Sequence, residues 1–398
     1  MAFLKYSPIR AIFWLLTSFI LTPVLILILI ISPICRIRFG YLDARRIGHF
    51  CFDLGYFIHQ KNNCNQPRET TNIFFLQGPV SNAFLKTLTK QYFFVHPLVR
   101  VLFFVLKGFP LGLGLIVEPQ RDISGSRDTK GMFARSSLQI TFPDTQASTG
   151  YHYLESCGID PNDRWVCLCV RDSAYLNTFL QKESGDWAYH DFRDSDIDSY
   201  IAAAEYLADL DVKVFRMGKA VSKPMSNSHP NIIDYASSEQ RSDFLDVWLI
   251  ANCFFCISTN LGLDAVSLVF KRPLLIVNAL PLMHIQSYHQ SVFVPKHLYS
   301  ERTGEHFGIK EYVEAQENRT DAYHKAGIRI SDLQPSEIRA ATIEMNERLM
   351  GCWIETAGEY ELQQRAWQIM RESPRYDQFH DWVHPSARIG RDFLRTIT

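Results

Sequence analysis

The sequence predicts an α/β protein with parallel sheets, and three observations carry that prediction. Short apolar runs rich in β-formers, at 73–76, 166–170, 253–257 and 274–277, are too short for helices and read as buried strands. They alternate with stretches of helical periodicity such as Ile201, Ala204 and Leu207, the spacing of βαβ units. Several runs end abruptly in charged or hydroxyl residues, as strands do where an open sheet meets its ligand. At 398 residues the chain is long enough for two globular domains.

Charge and composition exclude some classes. A formal net charge of -1 argues against a nucleic-acid binder, which normally carries a basic excess. Nine scattered cysteines form no disulfide framework, and the single CxxC pair, Cys253 and Cys256, lies in an apolar run without partner ligands. Free, mostly buried thiols in a reducing compartment are expected. No metal site and no cofactor is expected.

Residues 11–31 are a 21-residue run without a charge, enough to cross a bilayer and longer than the apolar part of a signal peptide. Pro23 within it is tolerated in a membrane helix. Lys5 and Arg10 precede the run, and Arg36, Arg38, Arg45 and Arg46 follow it, which puts the bulk of the chain on the cytoplasmic side. Residues 1–36 are thus expected to be a membrane anchor, followed by an α/β domain at 37–149. Strands are expected at 37–41, 73–76 and 92–95, with Ser81 or Asn82 capping the helix after the second. The apolar stretch 98–106 carries Arg100 and is too short to span; it fits the membrane interface, with a core helix as the alternative. Residues 118–148 read as a polar linking loop.

A second α/β domain is expected at 150–300. A helix at 151–157 leads to the strand 166–170, which closes in Arg171-Asp172-Ser173. A polar loop spans 173–194, and a helix begins near Asp196 with acidic residues in its first turn. The strand 212–215 closes in Arg216, and a short strand stands at 232–233. A helix over 241–251 precedes the strand 253–257, and Ser258-Thr259-Asn260-Leu261-Gly262 opens a further helix. The last part, 301–398, reads as helical, with helices from Gln334 and from Ala357 and a short tail that docks on both domains.

The chemistry concentrates at three strand ends. A guanidinium at Arg171 suits a phosphate, because its fork donates two parallel hydrogen bonds. A helix start at Ser258, Thr259, Asn260 and Gly262 offers free N–H groups to an anion. With Arg216 and Ser173 these residues would converge on one crevice. Each also has a plainer reading: a local ion pair for Arg171 and Asp172, and a simple helix cap for Ser258. No Walker loop, no GxSxG elbow and no DxD motif in a metal-holding setting is present; Asp194-Ser195-Asp196 has the spacing but sits where acidic capping explains it. His49, Asp172 and Asp264 are the candidate general bases.

The segments VCLCVRDSAYL, VFRMG, IIDYASS, RSDFLDVWLIANCFFCISTNLGL and ARIGRDFL, in that order, resemble a family of bacterial surface-polysaccharide glycosyltransferases, over most of residues 37–398. The turn Arg46-Ile47-Gly48-His49 after the first strand also resembles that of a nucleotide-sugar glycosyltransferase domain. More distantly, the Arg171 and Ser258 segments resemble the donor site of fucosyltransferases. The resemblance implies a GT-B-like fold of two Rossmann-type domains, a nucleotide-diphosphate sugar donor held by Arg171, Ser258 and Thr259, and a glycan or lipid-linked acceptor. The fucosyltransferases carry His-x-Arg where this chain has Cys169-x-Arg171. Two rivals remain: a non-catalytic nucleotide- or sugar-binding membrane protein, and a luminal enzyme, to which the sequon Asn318-Arg319-Thr320 would fit.

Overall fold

The structure, a computed structural model, describes residues 23, 26–28, 30, 31, 35–63, 70–108, 114–119, 127–179 and 188–397. Two compact units divide the chain, Met1–Arg121 and Asp122–Thr398. The division falls inside the stretch 118–148, and the helix there runs through position 149/150 instead of starting after it. No helix among the described residues is long and apolar enough to cross a membrane, and the expected span 11–31 lies for the most part outside them.

The first unit comprises β1 (Arg36–Asp43), α1 (Ile47–Asn63), β2 (Thr70–Gln77), α2 (Ala83–Tyr92), β3 (Phe94–Val95), α3 (Val99–Lys107) and β4 (Ile116–Val117). Its sheet runs β3-β2-β1-β4 with every neighbour parallel. Helix α1 buries Phe50, Phe57 and Ile58, and Phe57 meets Phe74 of β2 at 4.6 Å between ring centroids. Asn82 caps α2 through its side chain, which accepts from the Leu85 N–H at 2.9 Å. The expected loop at Gly48-His49 is instead the first turn of α1, so His49 is a helical residue.

The second unit comprises α4 (Asp144–Ser156), β5 (Trp165–Cys169), α5 (Ile201–Ala208), β6 (Lys213–Arg216), β7 (Ile232–Ile233), α6 (Asp243–Asn252), β8 (Phe255–Ser258), α7 (Asp264–Val269), β9 (Leu274–Ala279) and β10 (Ser291–Pro295). An antiparallel pair, β11 (His297–Ser300) and β12 (Ile328–Ser331), follows, then α8 (Pro335–Met350), α9 (Ala357–Arg371), β13 (Arg388–Ile389) and α10 (Arg391–Ile397). The main sheet runs β13-β10-β9-β8-β5-β6-β7, all parallel. Its first strand, β5, is flanked by β6 on one side and β8 on the other, so the winding reverses between β5 and β8. The buried run from Trp165 to Cys169 explains the central place of β5, since only a strand covered on both faces is apolar at every position. The tail adds β13 to the edge of this sheet, Phe293 pairing with Ile389.

Two expected elements shift. Residues 118–148 are not wholly loop: Asp128 accepts the Met132 and Phe133 N–H groups at 2.8 and 2.7 Å and seats a short helix, Met132–Arg135. The helix expected from Ser258 begins only at Asp264, because the chain passes through a left-handed residue, Asn260 (φ 61°), first.

A glycine in α4 ties the helix to the sheet. A Cβ on Gly150 would stand 2.1 Å from the Trp248 indole, itself buried and stacked at 6.0 Å on Trp165. Helix propensity alone would make Gly150→Ala stabilising by about 1 kcal/mol. We expect the opposite sign, a loss of about 1–3 kcal/mol by urea denaturation, because the rings have no room to retreat.

Candidate functional site

At the carboxyl edge of the second sheet, β5 leads away toward β6 and β8 leads away toward β9. Chains departing in opposite directions leave a crevice between the two strand ends, the place where open α/β sheets bind ligands. Arg171 stands at the end of β5. Its backbone N–H donates to the Thr259 Oγ1 at 2.9 Å, stitching the two strand ends together. Its Nε donates to Asp194 Oδ1 at 2.9 Å, and among the described residues its two terminal nitrogens have no partner. A guanidinium held by Nε alone keeps its outer fork available to an anion.

Asp194 is itself firmly placed. The Ser195 N–H donates to the Arg171 carbonyl at 3.0 Å, and Lys296 Nζ donates to the Asp194 carbonyl at 2.7 Å and to Asp332 Oδ1 at 2.6 Å. Ser195 Oγ donates to Asp332 Oδ2 at 3.2 Å and accepts from Asn278 Nδ2 at 3.0 Å. Burial pushes the Asp194 carboxyl above its ordinary value, against the pull of Arg171. Arg193, one residue earlier, donates from Nη2 to the Asn260 carbonyl at 2.5 Å, so a second guanidinium joins the crevice.

The hydroxyl residues play another part than expected. Ser258 and Thr259 are buried, and Ser258 Oγ bonds to the Asp264 carboxylate. The other oxygen of Asp264 accepts the Leu261 N–H at 3.0 Å. The acceptor at the start of α7 is therefore the protein's own carboxyl, and of the backbone N–H groups expected to cradle a ligand at 259–262, that of Leu261 is taken by Asp264 and that of Thr259 by the Cys169 carbonyl at 3.2 Å. Burial pushes that carboxyl up to about 7, against the hydrogen bonds from Ser258 and Leu261. Gly262 is exposed and Asn260 half-buried, its Oδ1 accepting from Gln286 Nε2 at 3.4 Å.

Arg216 lies deeper than a rim residue. Its side chain is 1% exposed; Nη1 donates to Asp234 Oδ1 at 3.1 Å and Nη2 to the Lys223 carbonyl at 3.2 Å, while Nε is buried without a partner among the described residues. It floors a 250 Å³ pocket at the ends of β5 and β6, shared with Asp172, Ser195, Asp196, Ser222 and Lys223. Asp172 accepts the Ala174 N–H at 2.9 Å, and from Ser222 both the N–H at 2.8 Å and the Oγ at 2.9 Å. Those bonds make it a loop clasp, and they occupy the oxygens a general base would use. Ser173 is exposed beside it.

In the first unit the carboxyl end of β1 carries Asp43 and, in the first turn of α1, His49. Asp43 Oδ1 accepts from Arg45 Nε at 2.9 Å, and the Asp43 N–H donates to Asp53 Oδ2 at 2.9 Å. Burial raises the Asp43 carboxyl, but Arg45 and the nearby His49 outweigh it and hold it below the ordinary value. Sequence reasoning named His49 and missed Asp43, although a charged residue closing an apolar strand was the signal used for Arg171. Arg193, inside the stretch read as a polar loop, and the anchoring role of Asp194, read as helix capping, were missed as well. Among the described residues no group of three or more His, Cys, Asp or Glu side chains is placed to hold a metal ion.

Two all-parallel sheets, each with its first strand between its second and fourth, make this a mixed α/β protein of doubly wound type. No family model and no curated protein matches the chain. Among solved structures, it is similar to a glycosyl transferase family 9 protein from Veillonella parvula DSM 2008, at 9% identity over 80% of this chain and 98% of that one, with a TM-score of 0.47. It is also similar to E. coli ADP-heptose LPS heptosyltransferase II, at 13% identity over 60% and 84% of the two chains and a TM-score of 0.35. E. coli heptosyltransferase WaaC with ADP-2-deoxy-2-fluoro heptose matches at 10% identity over 61% and 89%, with a TM-score of 0.28.

Proposed function

We propose that this chain is a membrane-anchored, GT-B-like glycosyltransferase that moves a sugar from a nucleotide-diphosphate sugar to a glycan or lipid-linked acceptor in surface polysaccharide synthesis. The observation that carries the reading is Arg171, held by its Nε at the β5–β8 crevice with its outer nitrogens unpartnered among the described residues. Arg193 adds a second positive charge at the same edge. Displacement of a nucleoside diphosphate leaves negative charge on its oxygens, and fixed guanidinium groups stabilise that charge without reorganising. The polar pocket over Arg216 and Lys223 takes another part of the donor.

His49, in the first turn of α1, is the general base of this reading, while Asp172 and Asp264 hold their own loops through Ala174, Ser222, Ser258 and Leu261. The uncharged run 11–31 is the anchor, and the arginines after it place both units on the cytoplasmic side. The fucosyltransferase resemblance rests on the Arg171 and Ser258 segments alone.

Thermal shift across UDP-, GDP-, ADP-, CMP- and dTDP-sugars tests the donor class. At least one diphosphate donor is expected to raise Tm, and it is expected to turn over with a glycan acceptor in a transfer assay. No shift with any of them removes the reading, and binding without transfer favours a non-catalytic protein. Asp194→Asn, which keeps the shape but drops the charge that fixes Arg171, is expected to weaken nucleoside diphosphate binding roughly tenfold with Tm little changed.

A further inference from the structure

The chain is divided in charge as well as in space. Residues 1–121 carry 13 Lys and Arg against 4 Asp and Glu, whereas residues 122–398 carry 28 against 38, so the near-neutral total hides a basic first unit and an acidic second one. The basic unit also shows apolar side chains to solvent. Helix α3 buries Val99, Phe103, Val105 and Leu106 and turns the opposite face outward. On that face Phe104 is exposed between Arg100 and Lys107, at one helical turn on either side. Leu98, at the start of the helix, is 70% exposed, and Phe94 of the edge strand β3 is 63% exposed.

The apolar run near the amino terminus packs on the buried side of the same helix and shows apolar side chains of its own. Ile28 is buried in the same cluster as Val99, Phe103 and Leu106, while Leu27 and Ile30 beside it are exposed. A soluble surface would not gather such side chains around the end of a 21-residue uncharged run. Arg100 stands at the rim of the face, 6.0 Å from the Phe104 ring, while Lys107, 5.6 Å from the buried Phe103 ring, is paired with Glu118 at 2.6 Å. Apolar rings in the middle and basic heads at the margin are the chemistry of a surface that sits at the headgroup level of an anionic bilayer.

We propose that the outer face of α3, with Leu98 and Phe94, is a docking surface for an anionic lipid bilayer, a second membrane contact beyond the single run 11–31. The unit is then held flat against the lipid by its own surface, and is more than a tethered body. This stands whether or not the β5–β8 crevice takes a nucleotide.

The test places a photoreactive benzophenone analogue of phenylalanine at position 104, or at 98 in a second variant, in the full chain reconstituted into vesicles of phosphatidylcholine with phosphatidylglycerol. Tyr360 of α9, exposed in the second unit, is the control position. After illumination, mass spectrometry is expected to find lipid adducts at 104 and 98, roughly tenfold more than at 360, and fewer when phosphatidylglycerol is left out. Adducts to residues 11–31 of the same chain would show that the face is covered by the protein itself, and adducts between copies that it is a dimer contact. Either result overturns the proposal, as does an equal yield at 104 and 360.

Discussion

Arg171→Ala is expected to weaken nucleoside diphosphate binding about a hundredfold while Tm stays near that of the parent. The guanidinium is 14% exposed and lies past the end of β5, so its removal opens no cavity in the core. Among the described residues its one side-chain bond is to Asp194, which is partly exposed and can be solvated when the arginine is gone. Hydrogen bonds to charged groups are worth about 1.5–3 kcal/mol each, and about 2.8 kcal/mol is a hundredfold in affinity. Arg171→Lys is expected to recover little, because a lysine has no outer fork and would be drawn to Asp194. Calorimetric titration with differential scanning on the same samples separates affinity from folding. Donor affinity unchanged in the alanine variant would place the diphosphate elsewhere.

The second large effect is on stability. Asp264 is buried, and its carboxyl is pushed from 3.8 up to about 7 by burial, against Ser258 and the Leu261 N–H. Between about pH 4 and 7 the folded chain keeps a proton there that the unfolded chain has released. Stability contributed by this group is thus complete below pH 4 and is lost as pH rises toward 7, by about 1.4 kcal/mol per pH unit. Asp264→Asn holds the same space and does not titrate. Urea unfolding of both proteins at several pH values is expected to show the difference moving in favour of the asparagine variant from pH 4 to 7 and flat above it. A difference that does not vary with pH would mean that Asp264 stays ionised in the folded chain.

The strands were legible because a buried parallel strand is a short, continuous apolar run, and 166–170, 253–257 and 274–277 all lie on strands or their margins. The order of those strands was not, since nothing local in β5 or β8 says that they are neighbours; Val166 pairs with Phe255, 89 positions further along the chain. Arg171 was found because a charge closing an apolar run is unusual. Ser258 and Thr259 were recognised as a strand end but turned inward, because in a dry interior a hydroxyl must find its own partner, and Asp264 and the Arg171 N–H supply one. Arg216 was placed at the crevice by position alone; its burial with Asp234 depends on β7, whose two residues are too few to orient from sequence. The acidic tripeptide at 194–196 carries both a cap, at Asp196, and the clasp on Arg171, and the helical pattern reveals only the first.

The most direct measurement is a crystal structure of the full chain with a bound nucleoside diphosphate. The diphosphate is expected at the carboxyl ends of β5 and β8, with the terminal nitrogens of Arg171 donating to its oxygens and Nε still on Asp194. A diphosphate bound away from β5, or the Arg171 fork engaged by protein atoms while the nucleotide sits elsewhere, would contradict it.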